Sequence, residues 1–208
     1  MIAKKVSKVV IRRLPRYYRY LADLKAEGID RISSNALAER MSVTASQIRQ
    51  DLNCFGGFGQ QGYGYNVETL HAKIGDILGL NNGHKTVIIG AGNLGHALAN
   101  YSGFKKRGFS LVGIYDNNDE LCKNEINGIK VSHIDNMEEE FKVLKPDIAI
   151  LTLPKNYAQE ISDKICALGI RGIWNFSYME LHVPEGIQVE NVHLIDSLMT
   201  LSHDISER

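Results

Sequence analysis

Gly90-Ala91-Gly92-Asn93-Leu94-Gly95 carries the spacing G-x-G-x-x-G. It follows the apolar run Thr86–Ile89 and opens a helical pattern from Leu94 to Tyr101. Strand, glycine turn and helix in that order are the setting in which this motif holds a dinucleotide. The first glycine permits the tight turn, the second lets backbone approach a pyrophosphate, and the third lets helix and strand pack closely. Free N–H groups at the helix start then face the phosphates. Asp116 closes the next apolar run, Gly113-Ile114-Tyr115-Asp116, about twenty residues beyond Gly95. A carboxylate there accepts hydrogen bonds from the adenosine ribose and repels a 2′-phosphate, so the expected ligand is NAD(H) rather than NADP(H).

Chemistry on that ligand asks for more. A dehydrogenase needs a substrate domain and a proton-transfer group beside the nicotinamide. Only about 30 residues follow the last apolar strand, too few for such a domain. His133, His182, His193 and His203 are scattered. We therefore assign no catalytic residue and no metal site. Cys54, Cys122 and Cys166 form no C-x-x-C pair and are expected to act as small buried hydrophobes. A small NAD-dependent enzyme with an accessory domain stays open as a rival, as does a CoA-binding Rossmann module, which Asp116 disfavours.

A second set of residues suits a polyanion. Residues 1–82 hold twelve Lys/Arg against seven Asp/Glu, and residues 83–208 hold twelve against seventeen, so a net charge of zero hides +5 in front and −5 behind. Arg12, Arg13 and Arg16 lie in the basic opening segment. Further on, Thr44 can cap a helix carrying Ser46, Gln47, Arg49 and Gln50. Gln pairs with adenine, and Arg with guanine or phosphate, when such a helix enters a major groove.

The elements that must position these groups follow from periodicity. Pro15 to Glu27 is expected as a helix with Tyr17, Leu21 and Leu24 on one stripe. Ala36–Met41 and Ala45–Phe55, joined by Ser42-Val43, have the shape of a helix-turn-helix; such pairs also serve as protein-contact modules. The glycine-rich run from Gly56 to Tyr65 reads as a β-hairpin, and Asn66 caps a helix reaching Leu78. A polar break, Leu80 to His84, separates a DNA-binding domain (1–82) from the rest of the chain. Runs Thr86–Ile89, Ser110–Tyr115, Ile129–Val131, Asp147–Thr152 and Gly172–Asn175 read as strands. They alternate with helices Leu94–Tyr101, Met137–Leu144 and Tyr157–Leu168, which predicts a doubly wound parallel sheet of Rossmann type over 83–192. The fold class is thus α/β, a winged helix-turn-helix followed by a Rossmann domain. Residues 193–208 add an amphipathic helix with Leu194, Leu198 and Leu201 on one side. It must cover an apolar surface, on its own domain or on another copy. No leader and no membrane span is expected, hence a cytoplasmic protein.

The stretch Arg49-Gln50-Asp51-Leu52-Asn53-Cys54-Phe55-Gly56-Gly57-Phe58-Gly59-Gln60-Gln61-Gly62-Tyr63-Gly64-Tyr65 resembles the R-x-D-x-x-x-F-G-x-F-G-x-x-G-x-G-Y signature of the Rex family of redox-sensing transcriptional repressors. Arg12 to Arg19, the glycine loop with Tyr101, Ile148 to Pro154, Gly172 to Phe176 and Val183 to Gly186 continue the likeness in order. The resemblance implies a homodimer that binds palindromic operator DNA when NAD+ prevails and leaves it when NADH accumulates. It implies a wing whose Gly57, Gln60, Gln61 and Gly62 touch DNA, and exchanged C-terminal helices. It also implies a coenzyme site completed by Leu153, Pro154, Asn175 and a partner's Leu194, and an inter-domain switch at Arg19, Tyr101 and His193. Departures are specific: Gln50 and Gln61 stand where the family commonly has Lys or Arg. His193 stands where it has Asp, with Asp196 nearby as a replacement anion.

Overall fold

The computed structural model describes residues 6–56, the backbone of 59–60, and 63–207. The chain divides into two compact units, Met1–Asn81 and Asn82–Arg208.

The first unit opens with α1 (Lys8–Ala26), capped by the Ser7 hydroxyl, which accepts from the Val9 amide. This corrects the expected start: Pro15 lies inside the helix instead of beginning it. Proline removes one helical hydrogen bond, yet Val10, Leu14, Tyr17, Leu21 and Leu24 form one buried stripe on both sides of it. Burial along that stripe outweighs the local fault. Strand β1 (Arg31–Ile32) leads to α2 (Ser34–Met41), and α2 ends at Ser42 in the left-handed conformation. Then α3 (Ala45–Asn53) starts from Thr44, whose hydroxyl accepts from the Gln47 amide at 3.2 Å. Strands β2 (Gly59–Gln60) and β3 (Gly64–Asn66) join β1 in an antiparallel sheet of order β1-β3-β2. Gly64 has φ of +69° and sits against β1, where a Cβ would stand 2.5 Å from the Ile32 carbonyl oxygen. Helix α4 (Val67–Ile77) packs back on α1, closing a core around Leu14, Leu37, Ile48, Leu52, Leu70 and Ile74. Helix pair plus small sheet is a winged helix-turn-helix.

The second unit is a seven-stranded sheet. Its strands are β4 (His84–Ile89), β5 (Phe109–Asp116), β6 (Glu125–Ile126), β7 (Ile129–His133), β8 (Ile148–Leu151), β9 (Gly172–Asn175) and β10 (Gln188–Asn191). The order is β10-β9-β8-β4-β5-β7-β6, parallel except for β6 on β7. Alternate residues of each strand feed different cores. Val87, Ile89, Ala149 and Leu151 lie in one, and Ile88, Ile114, Ile150 and Val131 in the other, as a parallel sheet covered on both faces requires. Helices α5 (Asn93–Ala99), α6 (Met137–Leu144) and α7 (Lys155–Ala167) supply the cover. The chain reverses direction across the sheet between β4 and β8, the switch point beside which open α/β sheets take ligands.

The last helix, α8 (Leu194–Ser206), has no buried residue. Leu194, Leu198 and Leu201 are 59%, 57% and 54% exposed, so α8 does not lie down on its own unit. Among the cysteines, Cys122 and Cys166 are half-buried and Cys54 is exposed, unlike the buried packing expected for all three. No helix among the described residues is long and apolar enough to cross a membrane.

Candidate nucleotide and nucleic-acid sites

The glycine loop sits at the carboxyl end of β4, braced by both neighbouring strands. Gly90 has φ of +104°, and a Cβ there would stand 2.6 Å from the Thr152 carbonyl oxygen. The Thr152 hydroxyl donates to the Gly90 carbonyl at 2.7 Å. A Cβ at Gly95 would collide with the same Gly90 carbonyl. These two positions are therefore glycine for the protein's own sake. Gly92 differs: a Cβ there meets nothing within 4 Å. Its open space is what a ligand pressing against the backbone requires, and so the loop fits a dinucleotide. Gly92 caps α5 without any side-chain hydrogen bond, leaving the first-turn amides around Asn93 and Leu94 free of a competing side-chain acceptor.

Asp116, at the end of β5, is almost buried and accepts from the Ala91 amide at 2.6 Å and the Asn118 amide at 2.9 Å. Each oxygen keeps a second lone pair for a ribose hydroxyl. A cavity of about 210 Å³ lies beside the loop, lined by Ala91, His96, Leu121, Asn124, Glu125 and Ile126. Apart from Ala91, neither this lining nor Thr152 was singled out by sequence reasoning. Thr152 had a signal, a hydroxyl placed directly after the apolar β8.

Leu153 packs half-buried on the sheet core and Pro154 is the exposed N-cap of α7. Asn175 is buried at the end of β9. Its amide donates to the Met179 carbonyl and to Asn191 Oδ1, while its oxygen accepts from the Ser177 amide and hydroxyl. That side chain holds the ends of β9 and β10 together. Tyr101 is exposed and packs edge-on against Phe104 at 5.1 Å, while His193 stacks on Tyr178 at 5.7 Å. His193 Nδ1 lies 3.5 Å from the Asp196 carboxylate. Arg19 is exposed on α1 of the first unit.

In the first unit, Ile48, Asp51 and Leu52 point α3 inward. Ser46, Arg49, Gln50 and Asn53 are exposed, and spacings of three and four put them on one face. Asn53 was missed in the sequence, where the helix was drawn without regard to which face is free. Asp51 is 1% exposed and gathers four donors. Arg13 donates Nε at 2.7 Å and Nη2 at 2.6 Å, the Tyr17 hydroxyl at 2.8 Å, and Gln47 Nε2 at 2.9 Å. Burial pushes the Asp51 carboxyl up, but the hydrogen bonds from Arg13, Tyr17 and Gln47 prevail and hold it below the usual carboxylate range. Arg13 thus braces Asp51 through Nε and Nη2, while its side chain stays 33% exposed. Arg16 donates to the Met41 carbonyl and lies over the Tyr20 ring at 5.8 Å, though its side chain reaches solvent. Arg49 donates to the Ser34 hydroxyl at 2.9 Å; Arg12 is exposed. Gln60 contributes backbone to β2, while Gly57, Gln61 and Gly62 lie outside the described residues.

Residues 5–53 match the family model described as "Putative DNA-binding protein N-terminus", and residues 81–179 match "CoA binding domain". Whole-chain likeness is far stronger. A redox-sensing transcriptional repressor Rex of Clostridioides difficile (strain 630) is 52% identical over 98% of this chain and 97% of its own. Another, of Thermoanaerobacter pseudethanolicus, is 54% identical over 98% and 91%. Among solved structures, RSP in complex with β-NAD+ and operator DNA matches with a TM-score of 0.93 at 52% identity, covering 98% of this chain and 94% of RSP. RSP in complex with β-NADH matches at 0.91 and 50%, covering 98% and 96%. With that likeness running end to end, through both units and their sites, the chain belongs to the Rex family of redox-sensing transcriptional repressors.

Proposed function

We propose that this protein represses transcription as a homodimer on a palindromic operator when NAD+ prevails, and leaves the operator when NADH accumulates. One observation carries the reading: RSP, alike over both units, has been crystallised with β-NAD+ plus operator DNA and with β-NADH. Acting on operator DNA, the protein works in the cytoplasm.

Gly90, Ala91, Gly92, Asn93, Leu94, Gly95 and Asp116 hold the pyrophosphate and adenosine ribose, which the two coenzyme forms share. They cannot tell oxidised from reduced. Discrimination belongs to the ring: an apolar surface of Leu153, Pro154 and the partner subunit's Leu194 resists burial of a cationic ring and accepts a neutral one. The bare stripe of α8 supports exchange of that helix between copies, because an exposed row of leucines finds cover in a second chain. Exposed Arg12, Arg16, Thr44, Ser46, Arg49 and Gln50, with the wing around Gly57, Gln60, Gln61 and Gly62, hold the duplex. Recognition helices of a dimer must sit about 34–36 Å apart to reach successive turns. To swing the population from 1:99 to 99:1, NADH must favour the released arrangement by about 5.5 kcal/mol. Arg19, Tyr101 and His193 take part in that switch. With a histidine in place of an acid, Asp196 supplies its negative charge.

A gel shift on a palindromic operator tests this. Release by NADH but not by equal NAD+ is expected; equal release by both would refute sensing.

A further inference from the structure

Asp51 accepts four hydrogen bonds while 1% exposed, and only Arg13 among its donors carries charge. The bidentate Arg13 contact already balances the carboxylate, so the contact to Gln47 is not needed for charge. It has a geometric effect instead. A carboxylate only accepts, so the atom of Gln47 that faces Asp51 Oδ1 at 2.9 Å must be its nitrogen. The amide's carbonyl oxygen takes no part in that contact, and Gln47 itself is half-buried beside exposed Ser46 and close to Arg49 and Gln50 along α3. One N–H remains beside that oxygen. An oxygen acceptor next to an N–H donor is the complement of adenine's N6–H donor and N7 acceptor in the major groove.

We propose that Asp51, clamped by Arg13 and Tyr17, is a positioning residue for base recognition, which fixes Gln47 as an acceptor–donor fork for adenine at one base pair of each half-site. A free glutamine samples several rotamers and both amide orientations, and ordering them opposes binding. Here the ordering is done within the folded protein. This rests on the reading of α3 as the DNA-reading helix.

The test is selection from a randomised palindromic duplex pool by the full-length protein without nucleotide, followed by affinity for duplexes changed one base pair at a time. Wild type should enrich adenine at one position per half-site and lose about tenfold there on a change to guanine, or on replacement by 7-deazaadenine. Gln47→Ala should abolish that preference. Asp51→Asn leaves one acceptor oxygen where two now each take an Arg13 N–H, so it loosens the clamp on Gln47 and should weaken the preference at the same position. The double variant should discriminate no less than Gln47→Ala alone. Slopes of affinity against salt should be unchanged in all three, since phosphate contacts are untouched. If Asp51→Asn does not fold, Arg13→Lys replaces the two-point clamp by one contact and should weaken the same preference. Loss spread evenly over all positions, or an unchanged profile in Asp51→Asn or Arg13→Lys, would overturn the proposal while leaving α3 as the reading helix. Enrichment of no sequence by wild type would overturn that reading and this one with it.

Discussion

Replacing Gly92 by alanine separates what the glycine loop needs for itself from what it needs for a ligand. At Gly92 φ is −63° and ψ −170°, a conformation open to alanine, and its Cβ meets nothing within 4 Å. Two small terms act on stability. Alanine restricts the unfolded chain, worth about 0.4–1 kcal/mol. It is also a poorer N-cap than glycine, by roughly 0.5–1 kcal/mol. They oppose each other, so the net change should fall within about 0.5 kcal/mol, which is about 1–2 °C in a chain of this size. Binding should suffer far more. A methyl group between backbone and pyrophosphate displaces a charge-assisted hydrogen bond worth about 1.5–3 kcal/mol, so Kd should rise by roughly 10- to 150-fold for NAD+ and NADH alike. Thermal unfolding without nucleotide and titration calorimetry with each form read the two effects separately. Gly95→Ala is the control: its Cβ meets the Gly90 carbonyl, and it should lower the melting temperature before any ligand is added. An unchanged Kd in Gly92→Ala would refute the idea that the space above Gly92 is where phosphate comes close.

Asp116→Ala should weaken both coenzyme forms by a similar factor and also lower the melting temperature, since the Ala91 amide loses its acceptor; calorimetry and thermal unfolding check the pair. Arg49→Ala should cost about 1–3 kcal/mol of operator affinity at unchanged stability. Arg13→Ala should instead cost about 2–4 kcal/mol of stability, because Asp51 stays buried without its cation; denaturant unfolding beside a gel shift distinguishes them. Burial, with Lys25 adding a little, lowers the His71 pKa from its usual 6.5. The unfolded chain therefore takes up the proton first, and the first unit should lose stability as pH falls below about 6.5; His71→Gln should flatten that dependence in a series of melts. Leu198→Asp on α8 should shift sedimentation toward the monomer with little change in the melt of either unit, as the residue is 57% exposed in the single chain.

What the amino-acid order disclosed was set by short-range rules. Thr44 and Asn66 cap helices where their side chains promised to. Met137–Leu144 and Gly172–Asn175 match their elements residue for residue, because apolar spacing and flanking breaks agree there. The failures were contests between levels. At Pro15 a local stop signal lost to a buried stripe that runs through it. Strand β10 is an edge strand with only one half-buried residue among exposed ones, so its pattern carries no alternation to read. The need for glycine was legible where backbone geometry demands that type, as at Gly90 and Gly95. Long-range side-chain pairings were illegible: Arg13 and Asp51 stand 38 residues apart, and nothing local in either segment announces the clamp. The bond of Asn175 to Asn191, 16 residues on, was hidden in the same way.

The bracing of the glycine loop has one more consequence. With Thr152 holding the Gly90 carbonyl and Asp116 the Ala91 amide, the protein's own hydrogen bonds fix the loop, and on the function proposed above oxidised and reduced molecules contend for the same berth. Occupancy of such a shared seat, once filled, follows the quotient of the two contenders. A cell that doubles or halves its total pool at fixed proportion leaves the reading alone.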